Sequence, residues 1–343
     1  MAVDGARSAG PPTIKEVARH AGVALSSVSR VLNQHPDVSP EMRDRVLRSV
    51  QELGYEPDLL ASSLRRGQTE TVGVIVADIV NPLFAEILKG AEHRLRAEGY
   101  SVLLAHSEGE AQRDVESARL LRRRRVDGLI ISLTDETRQE TLNELAALDT
   151  PVVLLDREVE GGPFSAVLAD HRTGLRRATE HLLDLGHRDI ALITGPATTR
   201  PARERVAGFR DGFRRRKVPI SSGSVLHGEF SHEFGARAVE QLLRGPSRPT
   251  AIIAGGNLVF VGVIAALHRH ELRIGRDLAL VTCDDVPLAQ FHSPPITVVA
   301  RNTTAMGELA ADLLLDQLRN DAEPRRVSLP TEFIVRESTF PLR

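Results

Sequence analysis

Between Thr13 and Asn33 the chain reads TIKEVARHAGVALSSVSRVLN, with polar side chains spaced for contact with a charged, patterned surface. Ser26, Ser27, Ser29 and Arg30 share the outward face of a short helix whose inward face is Val28, Val31 and Leu32. Short hydroxyl side chains let a helix sit close to phosphates and base edges, and Arg30 reaches a guanine edge or a phosphate. About thirty residues later an apolar Leu64 stands beside Arg65 and Arg66, after the small residues Ala61, Ser62 and Ser63. A second group of candidates lies at the ends of apolar runs: Asp78 and Asn81 with Phe84, then Asp170, and then Arg203, Phe230, Asn257 and Asp284. Arg203 offers a planar fork for a carboxylate, a phosphate or a pair of hydroxyls, and Asp284 accepts from sugar hydroxyls or amines. A structural role is the alternative for each of these, as for Arg205, which can pair with a neighbouring acid.

The elements that must hold the first group are three short helices. Thr13 followed by Glu16 fits a capping box and starts a helix with Ile14, Val17, Ala18 and Ala21 on one face, and Gly22 supplies the turn. The second helix runs from about Leu25 to Asn33. Ser39, Pro40 and Glu41 announce a third, which ends at Gly54 and contributes Val46, Val50 and Leu53 to a small core. Helix, Gly-containing turn and helix is the description of a helix-turn-helix reader of DNA. From spacing alone, an ordinary helical hairpin with a solvated face fits equally well. Asp58 to Arg66 is too short to be helical unaided, because isolated helices under about 12 residues do not overcome the nucleation cost; it needs a partner to fold.

From residue 71 onward, apolar runs alternate with helical patterns. TVGVIVADI, YSVLLAHS, VDGLIISL and PVVLLD make one set of buried strands, and DIALITG, GSVLHGEF, PTAIIAGG and LALVTCDD a second. Continuous Val, Ile and Leu runs separated by helices indicate doubly wound parallel sheets, here two lobes. Such sheets bind ligands beyond the carboxyl ends of their strands, so the cleft between the lobes is the expected sensor site. After PPITVV the chain should cross back to the first lobe, with a helix from Thr303 to Leu318 and a last strand around FIVRES. The expected domains are an arm over 1–12, a DNA-binding head over 13–57, a linker over 58–70 and a bilobed module over 71–343.

Composition limits the alternatives. At 343 residues the chain exceeds what one core organises, and 3% aromatic content without Trp leaves the packing to aliphatic side chains. With 44 Lys and Arg against 46 Asp and Glu, net charge gives no sign of a nucleic-acid partner, and residues 1–68 carry nine basic against eight acidic side chains. The single Cys283 excludes an intrachain disulfide and reads as a packed thiol. No apolar run spans a membrane and the start lacks a secretory core, so the expected compartment is the cytoplasm. Arg122 to Arg125 read as a solvated helix end. His181 and His187 lack metal-ligand spacing, no residue pattern calls for a cofactor, and no Gly-rich phosphate loop or nucleophile elbow is present, which argues against an enzyme.

TIKEVARHAGV, SSVSRVLN, VSPEMRDRV, LGYEPDLLASSLRRG, VGVIVADIVNPLFAEILKGAE and, near the carboxyl end, RESTF occur in the order in which the LacI/GalR family of bacterial transcription repressors carries them, and the chain resembles that family throughout after the arm. The resemblance implies that Leu25, Ser26 and Arg30 read bases, that Ser27, Ser29 and Thr13 hold phosphates, and that Asn33 belongs to the same interface. It also implies that Ala61, Leu64 and Arg65 enter the minor groove as paired segments, with Leu64 as a wedge between base pairs. Family members commonly carry a hydroxyl where this chain has Ala24 and a larger polar or aromatic residue at Leu25, whose apolar side chain suits a thymine methyl. In the sensor the resemblance supports Phe84, Arg203, Phe230, Asn257 and Asp284. Two departures stand there: Asn257 where Asp is usual, and Phe260 where a small Ala is usual, which should weaken a sugar-hydroxyl contact and reshape the pocket.

The implied function is that of a homodimer that binds near-palindromic operator DNA, under control of a small-molecule effector such as a sugar. A solute-binding protein and a sugar-converting enzyme of similar bilobed design are the competing classes. The head at 13–66 and the missing signal peptide oppose the first, and the missing catalytic constellation opposes the second.

Overall fold

The computed structural model describes residues 12–32, 35–55, 68–245 and 248–342. They divide into two compact units between Thr69 and Glu70. The expected roles of Asn33, Ala61, Leu64 and Arg65, and most of the 58–70 linker, fall outside the described residues.

The first unit is built from α1 (Ile14–Ala21), α2 (Leu25–Leu32) and α3 (Pro40–Leu53). Glu16 reaches back from the first turn of α1 to accept the Thr13 amide at 2.7 Å and its hydroxyl at 2.9 Å. These bonds hold the Glu16 carboxyl below its usual range. Gly22 ends α1 at φ +62°, a left-handed conformation that costs a side-chain-bearing residue more, and so sets the sharp entry into α2. Ser39 caps α3 by accepting the Met42 amide at 3.3 Å. The core is Val17, Ala21, Val28, Val31 and Val46, with Val50 and Leu53 partly buried at its edge.

The second unit holds two six-stranded sheets. In the first, β1 (Thr71–Val76), β2 (Ser101–His106), β3 (Gly128–Ile131), β4 (Val152–Leu155), β5 (Ser165–Ala169) and β11 (Arg326–Leu329) lie in the order β11-β5-β4-β3-β1-β2, all parallel. In the second, β6 (Ile190–Thr194), β7 (Val225–His227), β8 (Ala251–Gly255), β9 (Ala279–Cys283), β10 (Thr297–Arg301) and β12 (Thr331–Ile334) lie in the order β12-β10-β9-β8-β6-β7, with only β12 antiparallel. The nine helices of this unit among the described residues are α4 (Pro82–Ala97), α5 (Ala111–Arg123), α6 (Gln139–Ala146), α7 (His171–Asp184), α8 (Arg200–Arg216), α9 (His232–Arg244), α10 (Asn257–Arg269), α11 (Pro287–Phe291) and α12 (Thr303–Asn320).

Read position by position, the two strand orders match: β1 with β6, β3 with β8, β4 with β9 and β5 with β10. Beyond four strands per lobe, the sequence places a last strand around FIVRES in the first lobe; β12 there belongs instead to the second sheet, antiparallel to β10, and β5 and β11 are missed. β11 is an edge strand whose side chains alternate between partial burial and exposure, so it shows no apolar run, whereas β5 is fully buried and as long as the strands that were found. The chain therefore crosses between lobes three times, after β5, after β10 and between β11 and β12. Two of these crossings are tied together, because Asp170 donates its amide to Leu329 O at 2.9 Å and its carbonyl accepts the Thr331 hydroxyl at 2.9 Å.

Helix packing explains part of the composition. A Cβ on Gly307 of α12 would sit 1.9 Å from the Ile87 carbonyl of α4, so the two helices cross backbone to backbone. The RESTF segment fastens the chain end to the second lobe: Arg336 holds both carboxylate oxygens of Asp285 at 2.7 Å, and Ser338 donates to Leu280 O at 2.6 Å. His181 and His187 serve the same anchoring, bonding Thr339 Oγ1 at 3.0 Å and Phe340 O at 2.9 Å.

Candidate functional site

On the head, Thr13, Leu25, Ser26 and Arg30 are exposed, and Ser27 and Ser29 are half-buried at the shoulder of α2. Leu25 is 44% exposed at the very start of its helix, an apolar side chain held out of the core and followed by two hydroxyls. The helix keeps Val28 and Val31 inside, and its 100° per residue rotation then fixes which side chains point out.

The second site is a cleft of ≈ 660 Å³ walled by the segments that follow β1, β2, β3 and β4 in one lobe and β6, β7, β8, β9 and β10 in the other. That is the carboxyl-end position expected of doubly wound sheets. Asp78, Asn81, Phe84, Phe230, Asn257 and Asp284 all line it, as the sequence reading expected. Each is placed by local structure. Asn81 is the cap of α4 and accepts the Leu83 amide at 3.1 Å, and Asn257 opens α10 and accepts the Leu258 amide at 3.0 Å. The two meet across the cleft, Asn257 Nδ2 donating to Asn81 Oδ1 at 2.7 Å.

The wall also holds residues that sequence reasoning passed over. Asp156 follows β4 and Asp284 follows β9, matched posts in the two lobes, both with positive φ of +52° and +74°. Arg301, the last residue of β10, joins them. Its Nε donates to Asp284 Oδ1 at 2.7 Å and its Nη2 to Oδ2 at 3.3 Å, while Nη1 pairs with Asp156. Asp156 also accepts the Ala169 amide at 3.1 Å and meets His171 Nε2 at 2.8 Å. Burial alone would raise the Asp156 carboxyl, but the facing His171 ring and Arg301 guanidinium outweigh it and hold it well below the usual range. Burial likewise opposes ionisation of Asp284, and Arg301 and then Arg205 pull it down. For His171, burial wins over the neighbouring carboxylate and pushes its pKa down to about 4, so at neutral pH the ring is uncharged and Arg301 balances both acids.

Three expectations fail on geometry. Arg203 does not line the cleft; it points out of α8, half-exposed, and its Nη2 binds Glu136 at 2.7 Å. Arg205 is the arginine of the wall, because two residues along a helix is a turn of about 200° and, of α8, Pro201 and Arg205 line the cleft. Its Nη1 donates to Gly255 O at 2.8 Å, its guanidinium lies 5.7 Å from the centre of the Phe230 ring, and its Nε has no hydrogen-bond partner. Asp170 lies at the crossing, as expected, but off the cleft; it caps α7 by accepting the Thr173 amide at 3.0 Å. Phe260 does not reshape the pocket either. It is fully buried in the core of the second lobe among Val259, Val263 and Phe234, one turn along α10 from Asn257 and turned towards the sheet.

Ser132, at the end of β3, joins Arg205 as a wall residue with a buried and unpartnered polar atom. The signal that could have found Arg205 is the helical face shared with Pro201, and for Asp156, Ser132 and Arg301 it is their place at a strand end, the same that marked Asp284; Glu136 stands in a loop and carries no such signal. Burial pushes the Cys283 thiol up, in keeping with a packed side chain. Arg122 to Arg125 are exposed, with Arg122 paired to Glu144 at 3.2 Å. Among the described residues no helix is long and apolar enough to cross a membrane.

Comparison with known proteins gives this geometry its context. Residues 13–58 match the model of bacterial regulatory proteins of the lacI family, and residues 179–339 the model of a periplasmic binding protein-like domain. The ribose operon repressor of Escherichia coli (strain K12) is 37% identical over 307 residues, covering 89% of this chain and 93% of that protein. The crystal structure of the lac repressor dimer bound to operator and the anti-inducer ONPF superposes with a TM-score of 0.85 at 28% identity, over 96% of this chain and all of that one. A LacI family transcriptional regulator from Enterococcus faecium with bound ribose superposes with a TM-score of 0.70 at 28% identity, over 80% of this chain and 100% of that one. The related repressors are transcription factors and not enzymes. With a helix-turn-helix head, two matched parallel-sheet lobes and this degree of identity over nearly its whole length, the chain belongs to the lacI family of bacterial regulatory proteins, DNA-binding transcriptional regulators with an effector-binding domain.

Proposed function

We propose that the protein is a cytoplasmic, non-catalytic, homodimeric repressor whose effector is an unmodified pentose of the ribose type. The observation that carries this reading is the wall of the cleft: Asp284, Arg157, Arg205 and Asn257 converge there with Phe84 and Phe230. Planar charged and amide groups exchange hydrogen bonds with the hydroxyls of a sugar, and aromatic faces cover its C–H surface. Ser132 Oγ and Arg205 Nε, buried in the wall without partners, supply further positions for ligand oxygens. The cleft volume falls inside the usual range of about 300–1,000 Å³ for small-molecule sites. The ribose operon repressor relative and the ribose-bound structural neighbour support the same choice of ligand.

In this reading residues 13–57 recognise the operator through Leu25, Ser26 and Arg30, with Thr13, Ser27 and Ser29 on phosphates. Residues 58–70 couple the head to the sensor at 71–343. The dimer presents two heads to a near-palindromic site. Apolar side chains left exposed on both lobes, Leu103 and Leu104 on β2 and Phe291 and Leu288 on α11, support a second copy as the partner.

The test is a titration of operator binding, with operators selected from a random DNA pool, in the presence of D-ribose and of a disaccharide. Ribose should change operator affinity severalfold, and operator should change ribose affinity by the same factor. A protein that binds its operator identically with and without every pentose offered refutes the effector assignment and leaves the DNA reader standing.

A further inference from the structure

Two polar contacts join the lobes at matched places in the fold. Asn81, at the start of the helix after β1, meets Asn257, at the start of the helix after β8. The counterparts of β1 and β8 are β6 and β3, and there the helix after β6, α8, meets a residue that follows β3, Glu136. The first contact is a single neutral hydrogen bond. The second is denser: Glu136 accepts the Arg200 amide with its two oxygens at 2.8 and 2.9 Å and Arg203 Nη2 at 2.7 Å, with Arg157 Nε 3.9 Å away.

The Glu136 side chain is 2% exposed, so this is an anion buried at the amino end of a 17-residue helix, where unpaired amides and the helix dipole favour it. Arg200, whose amide it takes, also sends its guanidinium to Ala169 O at 3.0 Å in the other lobe. Arg205, the cleft-wall residue, lies little more than one turn further along the same helix. The position of Arg205 relative to the first lobe is thus set at the helix entry and not in the cleft.

We propose that Glu136, together with Arg203, is a positioning latch of the effector site: it fastens the entry of α8 to the opposite lobe and so holds Arg205 in place, without touching the ligand. This rests on the cleft being the effector site. It assigns Arg203 a role that its side chain can perform from outside the cleft, and it makes the latch a determinant of how tightly any ligand is held, not of which ligand.

Full-length Glu136→Ala and Arg203→Ala proteins test it by two readouts. In calorimetric titrations with D-ribose, D-xylose and L-arabinose, both variants should lose about tenfold in affinity for each pentose that the parent binds, with the ratios among pentoses unchanged. In hydrogen exchange, the amide of Arg200 should exchange faster in Glu136→Ala than in the parent, while the first turn of α10 is unaltered. Arg203 is half-exposed, so its variant folds even if Glu136→Ala does not, and it carries the affinity test alone. A change in the ratio among pentoses on Arg203→Ala would place Arg203 on the ligand and overturn the proposal, as would unchanged pentose affinity in that variant or unchanged Arg200 exchange in Glu136→Ala. If the parent binds no pentose, the effector assignment falls, and the exchange comparison still decides the latch.

Discussion

Asp156 and Asp284 occupy the same post in the two lobes, one residue past matched strands and in the same left-handed backbone region, yet they do different work. Asp156 is tied to both of the first two crossings: to His171 and the Ala169 amide beside one, and to Arg301 at the other. Asp284 has a two-oxygen contact with Arg301 and otherwise faces the cleft. The lesson is that a repeated architecture delivers equivalent positions and not equivalent chemistry. Both line the cleft, but Asp156 is bonded beside two crossings while Asp284's side chain is held by Arg301, and that single arginine joins the two.

The comparison can be broken most severely at its shared element. Arg301→Ala leaves two buried carboxylates facing each other, and removal of one partner from a buried ion pair costs about 3–5 kcal/mol. Urea unfolding of the full chain should show that loss in the sensor transition; an unchanged midpoint would mean that Arg157, Arg205 and His171 suffice to balance the pair.

Asp156→Asn and Asp284→Asn sharpen the difference between the lobes. Each keeps size and removes charge, but the first also disturbs the bonds to His171 and Ala169, so it should cost about 2 kcal/mol more than the second in thermal or urea unfolding. Equal losses would erase the distinction. The ligand readout should run the other way, with Asp284→Asn weakening pentose binding more.

His171, buried at the start of α7 against Asp156 of the first lobe, gives this junction a pH dependence of its own. The unfolded ring takes up a proton near its ordinary value of 6.5, whereas the folded one does so only near about 4. The unfolded state therefore binds more protons within that window, and stability, complete above it, falls as pH drops from 6.5 towards 4. At pH 5 this residue alone should make the protein about 2 kcal/mol less stable than at pH 7. His171→Asn should flatten the profile between those pH values, and a profile of the same slope would assign the dependence elsewhere.

The smallest effect is expected at the neutral cross-cleft contact. Asn81→Ala removes one hydrogen bond between lobes and one helix cap, together about 1–2 kcal/mol. Its loss of pentose affinity should be smaller than that of Glu136→Ala, and the reverse order would make the neutral contact the dominant one.

The head was legible in the sequence almost to the residue. Thr13 with Glu16, Gly22, Ser39 with Pro40, and Gly54 mark the three helices, because caps and turns act over three or four positions. Strands β1, β3, β4, β6, β8 and β9 were legible for a similar reason, since a buried parallel strand is a continuous apolar run. β11 was not, because its exposed edge alternates, and β5, a buried run as long as those found, was passed over. In the cleft, some residues that open helices or end strands were found, Asn81, Asn257 and Asp284, while Asp156, Ser132 and Arg301 at other strand ends were not. The choice between Arg203 and Arg205 failed because two residues on one helix point to opposite sides, and the sequence does not say which side is the cleft.

By itself, then, the amino-acid sequence determined the local elements, the two-lobed class and the family, all of which follow from patterns spanning a few residues or from their order along the chain. The tertiary structure alone decided which arginine enters the site, that Phe260 belongs to the core, that Arg301 bridges Asp156 and Asp284, and that Glu136 caps a helix of the other lobe. These contacts join residues 17 to 145 positions apart, and only the packed sheets determine which side chains share the same buried, weakly screened space.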